Sequence, residues 1–85
     1  MTQETMEIKG RVKEYILEAV HTEKEKIKED SLIFQEGFID SMGFITLITF
    51  LEEEFEIQTG DADLLEENFE SINAITEFVV RKLAA

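Results

Sequence analysis

Gly37-Phe38-Ile39-Asp40-Ser41-Met42-Gly43-Phe44 is the stretch around which the chain is organised, because a long polar connection ends there and the most apolar helix begins. Asp and Ser side chains accept hydrogen bonds from the free N–H groups of a helix's first turn, so Asp40-Ser41 reads first as a helix start. Gly37 supplies backbone freedom for the turn into Asp40. Beyond it, Phe44, Leu47, Ile48, Leu51 and Phe55 recur at helical spacing and predict a helix over residues 41–57 with one core face. Met42, Ile45, Thr46, Thr49, Glu52 and Glu53 fall largely on another face. Met42 and Ile45 leave apolar side chains beside the serine, either packed under the preceding connection or exposed as a docking spot rimmed by acids.

Upstream, Ile8, Val12, Tyr15, Ile16, Ala19 and Val20 recur at three and four, which predicts an amphipathic helix from about Thr5 to near His21. Gly10 inside it costs ~1 kcal/mol relative to Ala. Residues 21–39 carry Ile27, Leu32, Ile33, Phe34, Phe38 and Ile39 without a clean period, and read as a long ordered loop pinned across a bundle end. Lys24, Lys26 and Lys28 alternate there with Glu23, Glu25 and Glu29 as a self-neutralised solvated segment, and His21 reads as a solvated side chain.

Downstream, Gln58-Thr59-Gly60 ends the second helix, with Gly60 as its cap or as a loop residue. Residues 61–66 suggest one helical turn with acids at its positive end. Ser71 caps a last helix whose inward face is Ile72, Ile75, Phe78 or Val79, and Leu83, with Arg81 and Lys82 where cations suit the dipole. There is no proline and no strand alternation. The expected fold is all-α: a small antiparallel helical bundle of three main helices plus one short helix, with a long loop between helices 1 and 2, in a single domain over residues 1–85.

Charge is uneven. The 85 residues hold 20 acids and 8 bases, a net charge of -12. Residues 30–80 contain no Lys or Arg, so nearly all the excess lies there. Such a field repels nucleic acid and anionic lipid and attracts basic protein surfaces. Without cysteine and with one histidine, disulfides, thiolate catalysis and a multi-histidine metal site are excluded. Asp61 and Asp63 invite a calcium reading, but Glu66 stands where the calcium loop requires Gly, so no metal ligands are expected. No apolar run approaches ~20 residues and no leader pattern opens the chain, which points to a cytoplasmic monomer without membrane insertion. As a nucleophile Ser41 would have only His21 for a base and lacks the Gly-x-Ser-x-Gly elbow, so no catalytic residue is expected.

The triplet Asp40-Ser41-Met42, with residues 51–57 and Glu67-Asn68-Phe69-Glu70-Ser71-Ile72, resembles the acyl carrier protein family. There the serine of an Asp-Ser-Leu or Asp-Ser-Met triplet carries 4'-phosphopantetheine, whose thiol holds an acyl or aminoacyl group as a thioester. The resemblance implies attachment at Ser41 beside Asp40, and partner contacts through Met42, Ile45, Thr46, Glu52 and Glu53. The implied partners are a phosphopantetheinyl transferase, an acyl- or aminoacyl-loading enzyme, and downstream transferases or synthases with basic docking patches.

The sequence also departs from the carriers of fatty-acid synthesis. Gly43 and Thr46 stand where those usually place acids. Asp40-Ser41-Met42-Gly43 is instead similar to D-alanyl carriers, and Glu67-Asn68-Phe69 to carriers of secondary metabolism. A stand-alone carrier of a specialised acyl or aminoacyl pathway is therefore expected, with primary fatty-acid synthesis as the alternative. An unmodified acidic interaction module is the alternative of another class. Phe44 and Phe50 fill volume where those carriers have smaller side chains, so a long acyl chain is expected to stay outside the core.

Overall fold

The computed structural model describes residues 3–20 and 27–84; His21, Glu23, Lys24, Glu25 and Lys26 lie outside the described residues. In chain order it contains α1 (Gln3–Ala19), α2 (Ser41–Phe55), a 3₁₀ turn (Asp61–Asp63), α3 (Glu66–Phe69) and α4 (Ile72–Ala84), with no strand among the described residues. The all-helical bundle expected from the sequence is what forms.

Packing centres on α4, which contacts each of the other three helices. Its Ile72, Ile75, Thr76, Phe78 and Val79 are all buried. Thr76 tolerates this because its hydroxyl donates to the Ile72 carbonyl at 2.8 Å. The stripe Ile8, Val12 and Ile16 of α1, with Val20 just past its end, is buried as its spacing predicts, while Ala19 is exposed. α2 contributes Leu47 and Leu51, both fully buried. It is tied to α1 by a stack of Phe50 on Tyr15, with ring centroids 4.1 Å apart, and by the Arg11–Glu54 ion pair at 3.1 Å.

The connection before α2 is pinned as expected, by apolar side chains and by its own backbone. Ile27, Ile33 and Ile39 are buried. The N–H of Ile33 donates to the Glu70 carbonyl at 2.9 Å and that of Asn73 to the Glu29 carbonyl at 3.0 Å, stitching this segment to the start of α4. The Ile33 carbonyl in turn accepts from Phe38 and Ile39, closing a turn in which Gly37 has φ of 80°.

Three local expectations are corrected. α2 stops at Phe55 rather than residue 57, and its terminator is Glu56 in the left-handed region (φ 54°), which leaves Gly60 as the loop residue of the two readings. Two interactions beyond the helix hold Glu56 there: Ile57 is buried, and the Glu52 carboxylate accepts from both the N–H (3.0 Å) and the hydroxyl (2.7 Å) of Thr59. The short helix is displaced to α3, and residues 61–63 form only a 3₁₀ turn. Asp63 turns back to accept from the Gly60 N–H (2.9 Å) and Lys82 (2.8 Å), while Phe69 is drawn fully into the core. Leu83 is half exposed rather than part of the inward face, at the rim of a surface cleft that it lines with Ile8 and Phe55.

Candidate functional site

At the start of α2 the capping duty falls on Asp40. Its backbone is extended, its Oδ1 accepts from the Gly43 N–H at 2.9 Å, and its carbonyl accepts from Phe44 at 2.9 Å. Ser41 is the first helical residue and is exposed, so its hydroxyl is left available for chemistry. The other two serines have structural tasks: Ser31 Oγ accepts from the Lys28 N–H at 2.8 Å and Ser71 Oγ from the Ala74 N–H at 3.1 Å.

Gly43 has a steric reason to be glycine. A Cβ there would lie 2.8 Å from Cγ2 of Ile39, whose side chain is buried against the first turn of α2. Ile39 and Phe44 occupy the positions of a hydrophobic staple, one before the cap and one in the first turns. That signal is readable in the sequence and fixes the angle at which the chain enters α2.

Beside Ser41 runs a groove of ≈ 550 Å³ lined by Phe34, Ile39, Asp40, Ser41, Phe44, Ile45, Leu64 and Glu66. Phe34, Leu64 and Glu66 are members that the sequence reading did not single out, since they come from separate segments. The groove's far wall, residues 64–66, is held to α4 by Asp63–Lys82 and by Arg81, which donates to Asn68 at 3.0 Å. Asn68 itself donates to the Asp63 carbonyl at 2.9 Å. The Asp63 carboxyl lies below its ordinary range, chiefly through the Gly60 N–H and then through Lys82.

Met42 (71%) and Ile45 (61%) are among the most exposed apolar residues, which rules out packing under the connection. Leu64 and Leu65 are also exposed. Thr46 and Thr49 are exposed and return their hydroxyls to the Met42 and Ile45 carbonyls at 3.0 and 3.2 Å. The acids named with them divide. Glu53 is exposed, but Glu52 is engaged by Thr59, whose hydroxyl first and N–H second hold its carboxyl below the ordinary range. Phe44 and Phe50 also divide, since Phe44 lines the groove whereas Phe50 stacks on α1.

An exposed hydroxyl at a helix N-terminus, with the cap served by its neighbour and an apolar groove alongside, fits a phosphodiester-linked arm. Among the described residues there is no cluster of His, Cys, Asp or Glu that could hold a metal ion. Among the described residues no helix is long and apolar enough to cross a membrane.

Comparison with known proteins agrees with this geometry. The family described as a phosphopantetheine attachment site matches residues 10–79. An acyl carrier protein of Buchnera aphidicola (subsp. Acyrthosiphon pisum, strain Tuc7) is 31% identical over 75 residues, 88% of this chain and 91% of that relative. One from Chlorobium phaeovibrioides is 30% identical over 76 residues, covering 89% and 95%. A third, from Thermotoga maritima, is 27% identical over 77 residues, covering 91% and 93%. With a match that spans most of the chain and the helical bundle to go with it, this protein belongs to the acyl carrier protein family, a carrier rather than an enzyme, with 4'-phosphopantetheine as its covalently attached cofactor.

Proposed function

We propose that Ser41 is the attachment residue and that the chain presents an acyl or aminoacyl group to successive enzymes of a specialised pathway in the cytoplasm. The observation that carries the assignment is the division of labour at the start of α2, where Asp40 caps and Ser41 is exposed. In the transfer, the Ser41 oxygen attacks the coenzyme A phosphorus that bears pantetheine. A P–O bond forms, the P–O bond to the nucleotide half breaks, and adenosine 3',5'-bisphosphate leaves while the hydroxyl proton passes to the transferase or solvent. When bound, the arm supplies a thiol for thioester chemistry. The first turn of α2 favours the added negative charge by roughly 0.3 to 1 kcal/mol.

The partners in this reading are a phosphopantetheinyl transferase, a loading enzyme, and downstream transferases or synthases. Met42, Ile45 and Thr46 supply the contact closest to Ser41, and Glu53 steers basic surfaces toward it. The specialised pathway is favoured because α2 carries no acid from Ser41 through Leu51, leaving a neutral face beside the arm. Intact mass after incubation with coenzyme A and a broad-specificity transferase tests the attachment. Wild type should gain one phosphopantetheine and Ser41→Ala none; a gain in Ser41→Ala would contradict the assignment.

A further inference from the structure

We infer that the cleft at the pole opposite Ser41 is a docking site of its own, and that its occupant is a basic segment of a partner protein, which inserts an apolar side chain against Ile8, Phe55 and Leu83. α2 runs from Ser41 to Phe55, so its two ends lie roughly 20 Å apart. The cleft at the Phe55 end measures ≈ 370 Å³ and draws on three helices, with Glu4, Glu7, Ile8 and Arg11 from α1, Phe55 from α2 and Leu83 from α4. Its size falls at the low end of the range for ligand sites, about 300 to 1,000 Å³. Ile8 is buried, whereas Phe55 is partly exposed and Leu83 is 50% exposed, so the apolar row of α4 runs out to a side chain that nothing covers. Glu4, Glu7, Ile8 and Arg11 stand at i, i+3, i+4 and i+7, which puts acids and apolar surface on one face of α1.

The charge of the lining decides the occupant. Arg11 is its one base and is already held by Glu54 at 3.1 Å. Lys82, the neighbour of Leu83 in the chain, is held by Asp63 at 2.8 Å. Glu4 and Glu7 are exposed, and among the described residues neither forms an ion pair. Glu53 and Glu56, close to Phe55 in the chain, are exposed as well. A second copy of this chain would set the same acids against each other, and an anionic lipid surface would be repelled. A segment with Lys or Arg on either side of a Leu or Phe meets both demands, its apolar side chain covering Leu83 and Phe55 and its cations facing Glu4 and Glu7. The charges are exposed, so the contact is weak and screened by salt. A partner that grips this pole leaves Ser41, Met42 and Ile45 at the other end of α2 free for the enzymes that act on the arm.

The test titrates a synthetic peptide, acetyl-Lys-Lys-Phe-Leu-Lys-Lys-amide, into the isotope-labelled protein without its arm, so the outcome does not depend on attachment at Ser41. Amide chemical shifts should move at Glu7, Ile8, Phe55 and Leu83 and stay in place at Ser41, Met42 and Ile45. A peptide with Ser-Ser in place of Phe-Leu, and one with Glu in place of every Lys, should leave the cleft unmoved. Leu83→Gln should weaken binding roughly fivefold, for about half a leucine's burial. Glu4→Gln combined with Glu7→Gln should weaken it roughly threefold at low salt, a difference that closes as salt is added. All three positions are exposed, so the variants keep the fold, which circular dichroism checks. The inference is overturned by shifts centred on Met42 and Ile45 in place of the cleft, by a Ser-Ser or acidic peptide that binds equally well, or by folded variants that bind as wild type. Shifts at the cleft on raising the protein concentration alone would also overturn it, since the occupant would then be a second copy.

Discussion

Two helices of this bundle start beside a serine, and the two starts do opposite work. At α4, Ser71 precedes the helix, is only 7% exposed, and accepts the Ala74 N–H. At α2 the cap is one residue earlier, on Asp40, and Ser41 is already inside the helix with its hydroxyl exposed. A displacement of one residue relative to the cap separates a structural hydroxyl from one available for modification. Residue type alone does not distinguish them; the neighbour that takes the capping bond does.

The largest expected contrast comes from truncating each serine. Ser71→Ala should lose roughly 1 to 2 kcal/mol, because a mostly buried cap is removed, while still accepting the arm. Ser41→Ala should change stability by less than about 0.5 kcal/mol. Asp40→Ala should lose about 1 kcal/mol, as the true cap of α2. Urea unfolding of the three variants checks this, and a large loss in Ser41→Ala would erase the contrast.

A second pair sharpens it with glycines. Gly43→Ala places Cβ against Ile39, an overpacking cost of roughly 1 to 3 kcal/mol that outweighs a helix-propensity gain of up to ~1 kcal/mol. A net loss near 1 kcal/mol is expected. Gly10→Ala meets nothing within 4 Å on α1, and should gain about 0.5 to 1 kcal/mol. If both substitutions stabilise, the tight fit at the start of α2 is not real.

The smaller effects concern the far end of α2. Glu52 bonds Thr59 whereas Glu53 is exposed, so Glu53→Lys should slow transfer with partners and leave the unfolding midpoint unchanged. Glu52→Gln should lower the midpoint slightly. Because the folded Glu52 carboxyl titrates below its ordinary 4.5, the unfolded chain binds its proton first on acidification. Its contribution is complete above about 4.5 and is lost as pH falls through the lower folded value. Unfolding followed from neutral pH into the acid range should therefore show a shallower acid loss in Glu52→Gln, and identical slopes would remove the role given to Thr59.

Much of this could be read from the chain because it is local. Apolar spacing placed α1, α2 and α4, and capping chemistry placed Asp40 and Ser71 at helix starts. What was missed depends on partners distant in sequence. Glu56 is no obvious helix stop until the burial of Ile57 and the Glu52–Thr59 bonds are known. The short helix moved because Asp63 is claimed by Lys82 and Phe69 by the core. Gly43 stood out as a missing acid, yet the residue it accommodates is Ile39. The groove joins Phe34, Phe44 and Leu64 from three segments, a juxtaposition that no single periodicity announces.

Localising the arm after its transfer tests the central claim most directly. Tandem mass spectrometry on peptides of the holo protein should find phosphopantetheine on Ser41, with Ser31 and Ser71 unmodified. Modification at Ser71 or Ser31 in place of Ser41 would contradict the account.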